Sequence, residues 1–392
     1  MRKNIQYKKL GDICDFISGG TPSKSKIEYW KDGKIPWIKI SDFKKKYIKI
    51  SDEKITKSGL ENSSAKILKK GTILYTIFAS VGKVAILDIE ATTNQAIVGI
   101  DLKENNLLDK DFLYYFLCSI ENNIKKQARG VAQNNINISI LKNISIPILS
   151  MSLQKNIVKT LKKLEDILEN FKQKKLLINF LNKSLFTRMF GDIRTNSKNW
   201  EIKNLDSIYY IRSSKRIFEK DYKKEGVPFF RSKEIVELSN SKNIIPEIYI
   251  SFDKYEELKK ASGIPLKDDL LITAVGTIGK IWKVNYEKDF YFKDGNLIWL
   301  QLKNKNQFNT LSLKRILEDS IKNEKENLAS GSAYNALTID KLKKFNIIMP
   351  PIELQNKFAE RVEKIEKLSF EIEKSIKEAQ NLYNSLMNKY FD

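Results

Sequence analysis

Along residues 153–190 apolar side chains recur at Ile157, Leu161, Leu164, Leu168, Phe171, Ile178 and Leu185, alternating steps of four and three that lay one stripe down a helix. No Gly or Pro interrupts the run. At about 1.5 Å per residue the predicted helix is roughly 55 Å long, and it is too polar to span a membrane. A stripe of this kind needs a partner to bury it. The other end of the chain offers one. When Gln154 is laid on Gln355, the stripe continues in Phe358, Val362, Ile365, Ile372, Ile376, Ala379 and Leu386, and Phe190 falls on Phe391. Lys175 and Asn182 break the first stripe and Ser369 breaks the second. The register holds without a gap back to Gly130 and Gly331, so the chain is an internal duplication whose repeat is about half its length. Only a short linker, GDIRTNSKN, follows the first helix, and the second starts where the second half ends. The helices are therefore expected to pair antiparallel.

The remaining pattern predicts short strands and helices in each half. In residues 34–43, KIPWIKISDF, alternation surrounds a Pro suited to the start of a strand. Residues 71–78, GTILYTIF, read as a buried strand, and ASVGKVAIL follows, with Gly82 allowing a tight turn into another strand. Residues 107–128 read as helical; a polar loop, a short helix and a strand ending near Pro147 come next. The second half repeats the order, with VPFFRSKEI at 227–235, LLITAVGTIGKIWKV at 270–284 and ASGSAYNALTIDKLKKFNIIMPP at 329–351. Between these anchors the halves barely match, as expected of one scaffold carrying two different surfaces.

Charge changes the picture more than composition does. The net charge is +22. Residues 151–190 carry nine Lys/Arg against three Asp/Glu and residues 353–392 seven against eight, so about +17 falls on the two halves outside the helices. That implies a polyanion, and nucleic acid is favoured over a membrane surface because no basic amphipathic anchor stands out. Abundant Lys, Ile and Asn throughout would supply part of the excess as compositional bias. The start of the chain has no apolar leader and no run approaches a membrane span, so a cytoplasmic location is expected. Cys14 and Cys118 make neither a disulfide framework nor a zinc site.

In this order, and twice over, the motifs resemble one family. ISGGTPS after the opening strand, IPWIKISD, the SVGK and TIGK turns, GVAQNNI and GSAYNAL before the last strand, and PPIELQ at the helix start are together similar to the DNA specificity subunit of Type I restriction-modification systems. The first half departs in having Leu149 and Ser150 where the second has Pro350 and Pro351, and very little chain precedes the first domain. The resemblance implies an α+β protein: two duplicated α/β target recognition domains separated by a long antiparallel two-helix coiled coil. The expected segments are a first recognition domain at 1–149, a central helical spacer at 150–191, a second recognition domain at 192–350 and a C-terminal helical spacer at 351–392. It also implies a bipartite, asymmetric double-stranded DNA target. Two methyltransferase subunits using S-adenosylmethionine, and a further two restriction subunits with ATP and Mg, would be the partners; this chain would bind no cofactor itself.

Chemistry in the chain is scarce. There is no His at all, which removes the commonest general base and metal ligand. SVGK and TIGK lack the longer loop that wraps a nucleotide phosphate, and no methyltransferase motif is present. One alternative from another class is a self-contained Mg-dependent nuclease built on Asp192, Glu201 and Lys203. That spacing recurs at Asp253, Glu257 and Lys259, as expected by chance in a highly charged chain. Base reading uses Arg or Lys on guanine and Asn or Gln on adenine, presented from loops. The candidates are Lys39, Arg129, Gln133, Asn134 and Asn135 in the first half, and Arg216, Arg231, Lys233, Tyr334 and Asn335 in the second. Singly, each also fits a solvated loop or a helix cap; DNA contact is argued from the group in matched positions.

Overall fold

A computed structural model describes residues 5–103, 107–121, 124, 136–240, 242–304, 306–328 and 336–391. Two uninterrupted helices, Met151–Phe190 and Ile352–Phe391, stand where the stripes predict them. The chain divides into two compact units, Met1–Gln173 with Glu373–Asp392, and Lys174–Ile372. Each unit takes part of both long helices into its core.

In the first unit a five-stranded sheet runs in the order Cys14–Ser18, Ile97–Leu102, Ile73–Thr76, Val84–Leu87, Tyr47–Ile48. Neighbours are antiparallel except the last pair. Ile73–Thr76 is buried along its whole length, which is why it reads as a continuous apolar run rather than as an alternation. A smaller sheet joins Glu53–Ile55, Ile35–Ile38 and Thr92–Thr93, the second pair parallel. The helix Lys110–Ser119 starts at Asp109, whose carboxylate accepts the Phe112 N–H at 3.0 Å. It packs Phe112, Leu113 and Phe116 against Ile157, Val158 and Leu161 of the first long helix, with Met387 of the second in the same cluster. Phe391 meets Phe112 at 5.2 Å between ring centroids.

The second unit repeats this arrangement. Tyr209–Arg212, Leu297–Leu302, Leu270–Thr273 and Ile281–Lys283 form an antiparallel four-stranded sheet, and Tyr249–Ile250, Val227–Phe230 and Tyr291–Phe292 form the small one. Its core includes Phe186, Met189 and Phe190 of the first long helix with Phe358 and Val362 of the second. So in the first unit the start of one helix meets the end of the other, and in the second unit the end meets the start. Within each unit the pairing is antiparallel.

Two details differ from the sequence expectation. Leu185 is only half-buried; Phe186 and Met189, one and four places on, carry the contact with Phe358 and Arg361. A second apolar row on the same helix, Leu176, Leu177, Phe180 and Leu181, is exposed. The segment matched at 227–235 is a strand only as far as Phe230, where the helix Ser232–Ser239 takes over.

Both long helices start the same way. Gln154 and Gln355 are buried, and each side-chain amide hydrogen-bonds backbone groups where the helix meets its domain. The Gln154 oxygen accepts the Asp109 N–H at 2.7 Å, while its nitrogen donates to the Leu107 and Leu149 carbonyls at 2.9 and 2.8 Å. The Gln355 oxygen accepts the Asn309 N–H at 3.0 Å and its nitrogen donates to the Pro350 carbonyl at 2.8 Å. The glutamine on which the two halves align is thus the bolt between helix and domain.

Candidate nucleic-acid interface

Each unit gathers loops from several strand ends along one hydrogen-bonded rim. In the first, the Asn94 N–H donates to the Ile38 carbonyl at 3.1 Å, the Ile77 N–H to Ala96 at 2.8 Å, and the Ile136 N–H to Ile77 at 3.1 Å. In the second, Lys293 donates to Phe230 at 2.9 Å, Ala274 to Asn296 at 2.8 Å, and Leu337 to Ala274 at 2.9 Å. The same backbone stitches bring the end of the proline strand, the loop before the long edge strand and the glycine turn together in both.

The turn itself is held by a buried threonine. Thr76 donates its hydroxyl to the Ser80 carbonyl at 2.5 Å and accepts the Lys83 N–H at 3.0 Å, while the Gly82 N–H closes on the Thr76 carbonyl at 3.0 Å. Thr273 does the same for Thr277, Lys280 and Gly279. Gly82 at φ 95° and Gly279 at φ 79° occupy the left-handed region where a side chain is strained. The shared spacing is T-x-x-x-[ST]-[VI]-G-K, so this turn is legible in the sequence once the Thr is counted with it. Lys83 and Lys280 leave the turn exposed to solvent.

At the end of the proline strand each unit carries a cation, Lys39 or Arg231, at matched positions. The Lys39 N–H donates to Asp42 at 2.9 Å and its ammonium pairs with Glu53 at 2.5 Å, to which Lys24 also binds at 2.5 Å. Lys24 also stands 3.4 Å over the Trp30 ring. The Arg231 N–H donates to Glu234 at 2.8 Å; its guanidinium reaches Glu234 at 2.8 Å and Glu247 at 2.9 Å, and Lys233 pairs with Glu247 as well. Hydrogen bonds from Lys24 and Lys39 hold the Glu53 carboxyl below its ordinary range, and those from Lys233 and Arg231 do the same for Glu247. Lys39 is correspondingly raised by Glu53, and Arg231 by Glu234.

The expected site residues therefore fall into three groups. Lys39, Arg231 and Lys233 lie in carboxylate-bridged clusters, a setting the sequence did not announce because Glu53 and Glu247 come from the next strand or the loop before it. Arg216 is exposed and stacks its guanidinium 5.3 Å from the Phe218 ring. Arg129, Gln133, Asn134, Asn135, Tyr334 and Asn335 lie outside the described residues. The nuclease alternative is not assembled. Asp192 is closed by Arg194 at 3.1 and 3.2 Å, which holds its carboxyl below the usual value, and Glu201 pairs with Lys203 at 3.5 Å. Among the described residues no group of three or more His, Cys, Asp or Glu forms a metal site, and no helix is long and apolar enough to cross a membrane.

Against known proteins, a family model described as "Type I restriction modification DNA specificity domain" matches residues 2–179 and again 197–380. The Type I restriction enzyme MjaIX specificity subunit of Methanocaldococcus jannaschii is 29% identical over 256 residues, 60% of this chain and 59% of that protein's length. That match spans less than two thirds of the relative. A putative type I restriction enzyme specificity subunit of Haemophilus influenzae is 26% identical over 374 residues, 93% of this chain and 88% of the relative. The crystal structure of the S subunit of a Type-I restriction-modification system from M. genitalium shares the fold, with a TM-score of 0.59 at 19% identity, covering 99% of this chain and 96% of that one.

Proposed function

The chain belongs to the Type I restriction-modification DNA specificity family, and from that premise we propose that it is the non-catalytic subunit that binds a bipartite, asymmetric duplex target, one half per unit. The observation that carries this reading is the duplicated rim. Its backbone frame and threonine-held turn are the same in both units, while the side chains it presents differ, as two readers of different half-sites require. The excess of positive charge outside the helices supports a phosphate-bound ligand.

The long helices serve in this reading as spacer and docking surface. Leu176, Leu177, Phe180 and Leu181 offer an exposed apolar row to a protein partner. Two methyltransferase subunits carrying S-adenosylmethionine dock there, and up to two restriction subunits supply ATP- and Mg-dependent translocation and cleavage in the cytoplasm.

Methylome sequencing of cells with and without the gene tests the reading. One bipartite motif should lose methylation when the gene is removed; an unchanged methylome overturns it. Purified chain should bind duplex carrying that motif with a steep salt dependence reflecting several released counterions. Cleavage of plasmid by the chain alone with Mg, lost on Glu201→Ala, would favour the nuclease instead.

A further inference from the structure

We propose that the tips of the two threonine-held turns, Phe78 and Val275, are specificity-determining contacts that read the 5-methyl group of a thymine in the major groove. This rests on the duplex-binding reading above. Phe78 and Val275 occupy the matched place in their turns, two residues after the buried threonines, and are 36% and 42% exposed. Both are apolar side chains on a rim that otherwise carries polar and charged residues, among them Lys39, Glu53, Lys83, Arg231, Glu247 and Lys280. The turn beneath each is held by three hydrogen bonds to one threonine, which fixes the backbone that presents the tip.

The first turn also carries strain that the second avoids. Ala79, next to Phe78, has φ 60°, a region costly for a side chain, whereas Gly276 takes the same place at φ 73°. The Gly276 turn demonstrates that this fold does not need a methyl group there. In the first turn, Phe78 and the Ala79 methyl make one exposed apolar surface. Within a groove, the base-edge group complementary to an apolar tip is the thymine methyl. The tip sits beside the carboxylate-paired strand end through the Ile77–Ala96 and Asn94–Ile38 hydrogen bonds. The exposed Lys83 on the same turn, and Lys280 on the other, can hold phosphate while the tip meets a base edge.

The test uses the full chain and duplexes bearing the motif found by methylome sequencing, with each thymine of a half-site replaced in turn by uracil, which lacks only the methyl group. For wild type, one uracil in the first half-site should weaken binding about three- to tenfold, the scale of one buried methyl group. Phe78→Ala should bind the thymine duplex more weakly by a similar factor and respond to that uracil hardly at all. Val275→Ala should do the same in the second half-site only. Lys83→Ala serves as the opposite control, lowering the salt slope by about one while keeping the uracil effect. Equal responses to every uracil in wild type and Phe78→Ala, with a steep salt slope retained, overturn the inference and leave duplex binding standing. Half-sites without any thymine also overturn it. Failure of the wild-type chain to bind any duplex overturns both.

Discussion

The two units keep different things. Where a backbone group would be stranded inside the protein, they use the same device at the same place: Gln154 and Gln355 at the helix starts, Thr76 and Thr273 in the turns, Asp42 and Glu234 capping the segment after the proline strand. Where side chains meet each other, they diverge. In the first unit Glu165 accepts the Tyr115 hydroxyl at 2.7 Å and the Tyr383 hydroxyl at 3.3 Å, and Asp111 is bridged by Lys46 at 3.0 Å and Lys162 at 2.6 Å. In the second unit the helices meet through Phe186, Phe190 and Phe358, with ring centroids 4.7 to 5.8 Å apart. A stranded N–H or C=O costs about 1–3 kcal/mol whatever surrounds it, whereas a packing solution has many equivalents. Duplication therefore freezes the first and frees the second.

The strongest test of that division removes the two glutamines. Gln154→Leu strands one N–H and two carbonyls; Gln355→Leu strands one of each. We expect losses of about 3–5 kcal/mol for the first and somewhat less for the second, read from denaturant unfolding monitored in each unit. A loss below about 1 kcal/mol in either would mean that water takes over the amide's role and that the shared device is not what fixes the helix start.

A divergent position should show the opposite behaviour, an effect confined to one unit. Burial alone would push the Asp111 carboxyl up, but the ammonium groups of Lys162 and Lys46 together hold it below its ordinary value of 3.8. A depressed folded-state value adds stability above the unfolded value and loses it as pH falls through the folded one. Asp111→Asn should therefore cost roughly 1–2 kcal/mol at neutral pH, allowing for partial exposure, and the gap to wild type should close as pH drops below 3.8. The second unit has partly buried Leu311 at the matched place, two residues after Asn309 as Asp111 is two after Asp109, so Leu311→Ala should show no such acid limb. Equal pH dependence in both variants would remove the contrast.

How much of this was legible beforehand follows the same line. Periodicity gave both long helices and the buried strand at Ile73–Thr76, because a long stripe and a continuous apolar run are local signals. The repeat gave the pairing of Gln154 with Gln355. What stayed hidden was set by partners distant in sequence. Nothing near Lys39 or Arg231 points to Glu53 or Glu247, and nothing near Glu165 points to Tyr383. The helix Phe252–Ser262 was also not anticipated. It lies between the repeated anchors, where the two halves offer no mutual check.

The smallest expected effect is the most direct comparison, a reciprocal exchange at the turn tip. Ala79 and Gly276 have φ 60° and 73° in otherwise matched turns, and a Cβ added at Gly276 would meet nothing within 4 Å. Steric contact therefore plays no part, and only backbone preference remains. A left-handed residue with a side chain costs about 1–2 kcal/mol, and the greater freedom that glycine loses on folding returns about 0.5–1 kcal/mol of that. Ala79→Gly should then stabilise the first unit by about 0.5–1 kcal/mol, and Gly276→Ala should destabilise the second by a similar amount. If the turns are equivalent, the two changes have opposite signs and nearly equal size. Should Ala79→Gly destabilise instead, the alanine methyl packs within the folded chain, and its strain is repaid there rather than by anything the exposed tip touches.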